Sequence, residues 1–317
     1  MITNPVGVTI PNYKDVADLH LLEEKLVKVS EMGFTAVELP IQGMELIRNG
    51  EVNKGKLKSY QSLLGDFHLS YSFHAPHSLN LFNKQQKGNL EEEVLLASIE
   101  IASCLQGKTL VYHPGRYIAE ESFLYPRDWV EYTCEEKARF LEEECSVLTK
   151  AANDAAKGNL QIALENMRPF LDHKSYCYAV NPMELVSQVR EIGKPNVGMT
   201  LDIGHLYLAC PFYDFSLENV LTEISPYVIH MHIHDNFGKA SYSTEKNQHE
   251  LIPQGRGDMH MPIGNGDVPF EVIKEITMKE YKGMFIHELR NIYEKDWPEV
   301  ISRWKANEAS FVSKVRD

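Results

Sequence analysis

Acidic and imidazole side chains close short apolar segments in the second half of the chain. Segments 161–165, 197–202 and 284–288 each end in a carboxylate, and segment 229–234 carries a histidine at every second position. Three carboxylates meeting in a dry site would repel one another unless a cation supplied the missing charge. Carboxylate oxygens and imidazole nitrogens suit manganese, zinc, magnesium or cobalt. The spacing therefore predicts a divalent-metal site, provided that these segments end at one place.

The direction of each side chain follows from the alternation of faces along a strand. In segment 229–234 the apolar residues would pack outward, which turns the three histidines inward. The same count turns Glu288 inward and His287 outward. The predicted inward set, in chain order, is His74, His113, Glu165, Asp202, His230, His232, His234 and Glu288.

Elements that could position these residues alternate along the whole chain. Eight short β-rich segments are separated by stretches with helical spacing, and they begin near residues 6, 36, 69, 109, 161, 197, 229 and 283. Eight such units favour a single (β/α)8 TIM barrel of the α/β class over residues 1–317, with a doubly wound sheet as the alternative. Two long loops, at about 114–131 and 236–256, would then lie at the barrel mouth. No glycine-rich phosphate loop follows the first strand, so we expect no nucleotide cofactor.

Composition and charge exclude several classes of protein. The chain has 32 basic and 45 acidic residues, a net charge of −13, so binding of nucleic acid or anionic lipid by bulk charge is disfavoured. No apolar run approaches the roughly 18 residues of a membrane span, and no secretory signal is evident. The five cysteines show no CxxC spacing. We therefore expect buried free thiols and a cytoplasmic protein.

The ordered motifs resemble those of the xylose isomerase-like TIM barrels, which include sugar and sugar-phosphate isomerases and epimerases, inosose-processing enzymes and the endonuclease IV branch. The resemblance covers roughly residues 5–300. The motifs that carry it are HAPH at 74–77, HPG at 113–115, ALEN at 163–166, LDIGH at 201–205, MHIHDN at 231–236, DMH at 258–260, PIGNG at 262–266, and Glu288.

The resemblance implies specific roles. Glu165, Asp202, His232 and Glu288 match the four metal ligands of the epimerases, and Glu165 and Glu288 are also expected to transfer protons. In the endonuclease IV branch, the positions matching a second set bind two further zinc ions; in sugar-directed members the same residues could contact substrate or order a loop. This second-metal or substrate-binding set is His74, His113, His205, Asp258 and His260. Glu38 and Arg256 are weaker candidates for substrate contact.

Three functions stay open at this stage. The leading expectation is a divalent-metal-dependent isomerase or epimerase of a sugar, sugar phosphate or inosose, which transfers protons through a metal-stabilised enediolate. The same chemistry could instead eliminate a β-leaving group, as in a lyase or dehydratase acting on a keto-sugar. An endonuclease IV-like phosphodiesterase with a multinuclear zinc site is the third, although the DNA-reading residues of that branch are not evident and His77 replaces its usual tyrosine. The expected partner is a small sugar-like molecule, and homo-oligomerisation is compatible with the family.

Overall fold

A computed structural model describes residues 4–83, 89–125, 127, 129–245, 248–277 and 281–314. Eight parallel strands form a closed barrel in which the last strand pairs with the first. The barrel strands are β1 (Val6–Thr9), β2 (Ala36–Pro40), β5 (Ser70–His74), β6 (Thr109–Tyr112), β7 (Gln161–Glu165), β8 (Val197–Asp202), β9 (Val228–Ile233) and β10 (Phe285–His287). A small antiparallel hairpin of β3 (Ile47–Arg48) and β4 (Glu51–Val52) lies between β2 and β5.

Helices cover the outside of this barrel. They are α1 (Tyr13–Ala17), α2 (Leu19–Met32), α3 (Ile41–Met44), α4 (Lys54–Gly65), α5 (Leu90–Cys104), α6 (Cys134–Lys157), α7 (Pro182–Ile192), α8 (Ile203–Tyr213), α9 (Leu217–Ile224), α10 (Phe270–Thr277) and α11 (Trp297–Lys314). Local sequence sets their ends. Thr133 and Glu136 form a reciprocal capping box at the start of α6, and α2 ends at Gly33 with a left-handed φ of 87°.

Strand register brings the polar residues of neighbouring strands to similar heights. Asp202 of β8 pairs with His232 of β9, and His232 in turn pairs with Ile286 of β10. One layer lower, Glu38 of β2 pairs with Ser72 of β5. The outward residues of these strands pack beneath the helices as the apolar core. The carboxyl ends of β7 to β10 therefore converge at one mouth, where the active sites of TIM barrels lie.

The predicted fold is confirmed, with strand ends shifted by no more than two residues. The loop at 114–131 follows β6, and the loop at 236–256 follows β9. The expectation of buried thiols is wrong for Cys104 and Cys134, which are exposed because they lie at the end of α5 and the start of α6. Across the part of the chain that the structure describes, every helix is too short or too polar to cross a bilayer.

Candidate active site

Four side chains from successive strands meet at the barrel mouth. Glu165 and Asp202 end β7 and β8, His232 lies on β9, and Glu288 follows β10 directly. One ligand atom from each lies within 4.8 Å of those of the others. Nδ1 of His232 lies 3.2 Å from Glu288 Oε2, 3.5 Å from Glu165 Oε1 and 4.0 Å from Asp202 Oδ2. The four ligands predicted from the sequence therefore lie together at the barrel mouth.

The electrostatics of this set favour a bound cation. Burial alone would raise the pKa of Glu165, but His232 and His113 outweigh it and hold that pKa well below its usual range. The pKa of Glu288 is likewise lowered, because His232 and His260 outweigh the effect of burial. The pKa of His232 is raised well above its ordinary value, since Glu38, Glu288 and Glu165 oppose its burial. Within these four side chains three carboxylates face one imidazole, so negative charge is in excess unless neighbouring imidazoles or a cation balance it.

The donor set fits a divalent ion. His232 is fully buried, yet among the described residues neither of its ring nitrogens has an aligned hydrogen-bond partner. A buried polar group of this kind costs about 1–3 kcal/mol unless something satisfies it. An ion beside Nδ1 would do so, and three carboxylates with one imidazole are ligands that manganese and zinc accept.

A second cluster adjoins the first. Its members are His205, His234, Asp258 and His260, with ligand atoms within 4.8 Å of one another. Asp258 Oδ2 lies 2.9 Å from His260 Nε2 and 3.3 Å from His205 Nε2. His234 also donates to Asp202 at 3.0 Å and so joins the two clusters. The sequence had indicated only that His234 faces inward.

Backbone carbonyls orient three of the mouth histidines in the same way. Nδ1 of His205 donates to Asn166 O at 2.9 Å, and Nδ1 of His260 donates to Glu288 O at 2.9 Å. His74 does the same toward Ala75 O at 2.7 Å. In each ring the proton must sit on Nδ1, which leaves Nε2 to face a carboxylate. This orientation points Nε2 into the site, where it can bind a metal ion when the ring is neutral or donate a proton when the ring is charged.

A third cluster is made of His74, His77 and His113. Nε2 of His74 and Nε2 of His113 lie 3.3 and 3.4 Å from Glu165 Oε2. The ring of His77 contacts both neighbours, at centroid distances of 4.4 and 5.1 Å. The second set predicted from the sequence is thus brought around the first, and His77 is added to it.

Two cavities adjoin the four-ligand set and share His77, His260 and Glu288. One, of about 400 Å³, has a largely apolar wall that includes Pro11, Tyr13, Pro40, Leu289 and Ile292. The other, of about 160 Å³, has a charged wall that includes Arg116, Glu120 and Arg168. A small polar molecule bound beside Glu288 would contact both.

Arg168 lines the smaller cavity and was not predicted from the sequence. Its guanidinium lies 3.0 Å from Asp258 Oδ2 and 3.1 Å from Glu120 Oε2, so it joins two of the mouth loops. Its position three residues after Glu165, at the end of a strand, was the available signal.

Glu38 and Arg256 do not lie where substrate contact was predicted. Glu38 is fully buried one layer below the mouth and lines neither cavity, because it lies two residues before the end of β2. Arg256 donates to Glu245 within its own loop at 2.6 Å and also lines neither cavity. Both placements argue against the predicted contacts.

One known family matches most of the chain. A sequence profile of the xylose isomerase-like TIM barrel family matches residues 26–307. The chain belongs to this family. The matched span contains the four-ligand set and both neighbouring clusters.

Three similar proteins share between 17% and 28% sequence identity with this chain. The uncharacterized protein MJ1311 of Methanocaldococcus jannaschii is 28% identical over 284 residues, which span 87% of this chain and 83% of that protein. Among solved structures, a D-tagatose 3-epimerase-like protein superposes with a TM-score of 0.71 at 24% identity and covers 98% of this chain and 99% of its own. The IOLI protein with a bound zinc atom superposes with a TM-score of 0.65 at 17% identity, covering 98% of both chains. At these identities the structural likeness concerns the fold.

Proposed function

We propose that this protein is a divalent-metal-dependent isomerase or epimerase of a small sugar, sugar phosphate or inosose. The observation that carries the proposal is the convergence of Glu165, Asp202, His232 and Glu288 at the barrel mouth. The names of two structural neighbours, a D-tagatose 3-epimerase-like protein and a zinc-bound protein, are consistent with it.

The four converging residues would hold the ion, and two of them are suited to move protons. When bound, a divalent ion would polarise a substrate carbonyl as a Lewis acid. The lowered pKa values of Glu165 and Glu288 keep both carboxylates ionised, so either is available to accept a proton from the carbon beside that carbonyl while the electron pair moves to the carbonyl oxygen. For epimerisation, the other carboxyl group must first take a proton from solvent; it then delivers this proton to the opposite face of the same carbon as the electron pair returns from the oxygen. For isomerisation, the abstracted proton is delivered to the neighbouring carbon, and the hydroxyl proton of the first carbon passes to the former carbonyl oxygen.

Residues of the second cluster would orient the substrate. Burial alone would lower the pKa of His205, but Asp202 and Asp258 raise it to about 10, so the ring carries a proton to donate. His205 and Arg168 both line the smaller cavity, where they can bind the oxygens of a polyol or of an anionic group. Glu120 and Asp258 hold Arg168 in place.

Solvent deuterium incorporation tests the proton transfer directly. The full chain, with and without Mn²⁺ or Zn²⁺, is incubated in D₂O with a panel of ketoses, aldoses, inososes and their phosphates. We expect one compound to exchange a carbon-bound hydrogen and yield an isomer only when metal is present. Equal turnover by metal-free protein would contradict the proposal. A product that lacks water or an aglycone, detected by mass spectrometry, would assign β-elimination instead.

A multinuclear phosphodiesterase is a second candidate, and the two additional clusters favour it. The rings of His74, His205 and His260 are oriented toward carboxylates that could bridge further ions. Metal analysis separates the candidates, because three zinc ions per chain and nicking of a duplex with an abasic site are expected only for the phosphodiesterase. One ion per chain and an intact duplex would favour the isomerase. The net charge of −13 disfavours a DNA substrate.

A further inference from the structure

Glu38 occupies a buried position directly beneath the four-ligand set. Its Oε2 accepts hydrogen bonds from Ser72 Oγ at 2.8 Å and from His230 Nε2 at 3.0 Å. Its Oε1 lies 2.9 Å from Nε2 of His232. This carboxylate is fully buried, as are His230 and His232. It therefore contacts neither solvent nor the two cavities.

His232 is oriented in the opposite sense to three other mouth histidines. In His74, His205 and His260, Nδ1 is anchored on a backbone carbonyl and Nε2 faces the site. In His232, Nδ1 faces Glu165 and Glu288, and Nε2 points down to Glu38. His232 therefore has a carboxylate at the place where those three rings have a carbonyl.

We propose that Glu38 is a positioning residue that holds the proton of His232 on Nε2 and so turns the Nδ1 lone pair toward the ion. A carboxylate that accepts the second ring N–H of a metal-bound histidine fixes the tautomer and the ring orientation and makes the ligand more basic. The contact between Glu38 and His232 is short but not aligned as a hydrogen bond. A small rotation of the ring as Nδ1 engages the ion would align it. The inference rests on the metal site of the proposed function and needs no knowledge of the substrate.

The surroundings of Glu38 suit this role better than that of a separate ion site. Glu38, His230 and His232 could also hold an ion of their own. However, one oxygen of Glu38 already accepts two hydrogen bonds, and one nitrogen of His230 is committed to that oxygen. We therefore expect no second ion at this level, and the stoichiometry of binding tests that expectation.

Affinity for Zn²⁺ or Mn²⁺ alone, measured by competition with a chromophoric chelator, provides the test. Loss of a partner that orients a metal-bound histidine typically weakens affinity by about 10- to 100-fold, and we expect that loss in Glu38→Gln. Ser72→Ala removes only one hydrogen bond to Glu38, so we expect a smaller loss in the same direction; it also serves if Glu38→Gln does not fold. Glu144→Gln is the matched control, because Glu144 is equally buried but contacts none of the four ligands.

The protonation of His232 provides a second, independent readout. In ¹⁵N-labelled zinc-loaded protein, with the His232 signals identified by their loss in His232→Asn, we expect the proton on Nε2 and the metal on Nδ1. Binding by Glu38→Gln within twofold of the parent, or a proton on Nδ1, would overturn the inference while leaving the proposed function intact. Loss of a second ion in Glu38→Gln alone would also overturn it. Failure of the parent protein to bind metal would instead refute the proposed function.

Discussion

Two glutamates buried to the same extent have opposite environments in this protein. Glu165 at the mouth and Glu144 on α6 are each 1% exposed. Glu144 accepts hydrogen bonds from Tyr178 at 2.6 Å, the Gly115 amide at 2.7 Å and Tyr112 at 2.8 Å. The carboxylate of Glu165 is instead surrounded by imidazoles, with His74 and His113 on one oxygen.

The difference shows that burial alone does not distinguish a carboxylate with a structural role from a candidate functional one. Burial raises the pKa of Glu144, and its neutral donors offset that effect only in part. Histidines lower the pKa of Glu165 well below its usual range despite the same burial. Glu144 has fixed partners and ties the 113–115 loop to α6. Glu165 has partners that a metal ion can replace, as expected of a ligand or a base.

Removal of metal should give the largest difference between the Glu165 region and the Glu144 region. Treatment with a strong chelator should abolish turnover, and added Mn²⁺ or Zn²⁺ should restore it, because the proposed function places the cation beside Glu165 and not beside Glu144. The far-UV circular dichroism spectrum should stay unchanged, since the apolar core and the Glu144 network contain no candidate ligand. Turnover after verified metal removal would contradict the proposed difference between Glu165 and Glu144.

Matched substitutions should give the next largest effect. Glu165→Gln should lower kcat by about 10²- to 10⁴-fold, the usual contribution of a general base, and leave the protein folded. Glu144→Gln, the same change at equal burial, should keep kcat within a few-fold of the parent. Steady-state kinetics on one substrate checks both. Equal losses in the two variants would show that Glu165 acts through stability and not through chemistry.

Substitution of Glu144 should instead lower the free energy of unfolding. Glu144→Leu leaves two tyrosine hydroxyls and one amide without their acceptor, and should lower the free energy of unfolding by about 3–5 kcal/mol. Glu142→Leu, at an exposed position of the same helix, should change it by less than about 0.5 kcal/mol. Urea unfolding of the metal-free proteins measures both. Similar midpoints for the two variants would contradict the structural role given to Glu144.

The smallest expected effect is a pH dependence that belongs to Glu144 alone. Because its pKa is raised in the folded protein, its contribution to stability is complete below the unfolded pKa, near 4.5, and is lost as pH rises through the folded pKa. The stability difference between the parent and Glu144→Gln should therefore shrink as pH rises from about 5 to about 8. Urea unfolding across that range checks the sign, and a difference that grows with pH would show that Glu144 stays ionised.

Much of the site could be predicted because strands impose a period of two. Once 161–165, 197–202 and 229–234 were identified as strands, the inward direction of Glu165, Asp202 and His232 followed. Residues outside the strands were harder to predict. Asp258 and His260 lie on a long loop, and His260 adopts a left-handed φ of 47° that no periodic pattern indicates. Only the resemblance to the family suggested that they belong to the site.

The amino-acid sequence by itself determined the barrel, the order of the four candidate ligands around it and the face on which each lies. These features follow from the local periodicity of the sequence, which is set by residues close together in the chain. The tertiary structure decided the depth of Glu38, the link that His234 makes between two clusters, and which nitrogen of His232 faces the carboxylates. Depth and ring orientation depend on register and on contacts between strands distant in the chain, and alternation of faces contains no information about either.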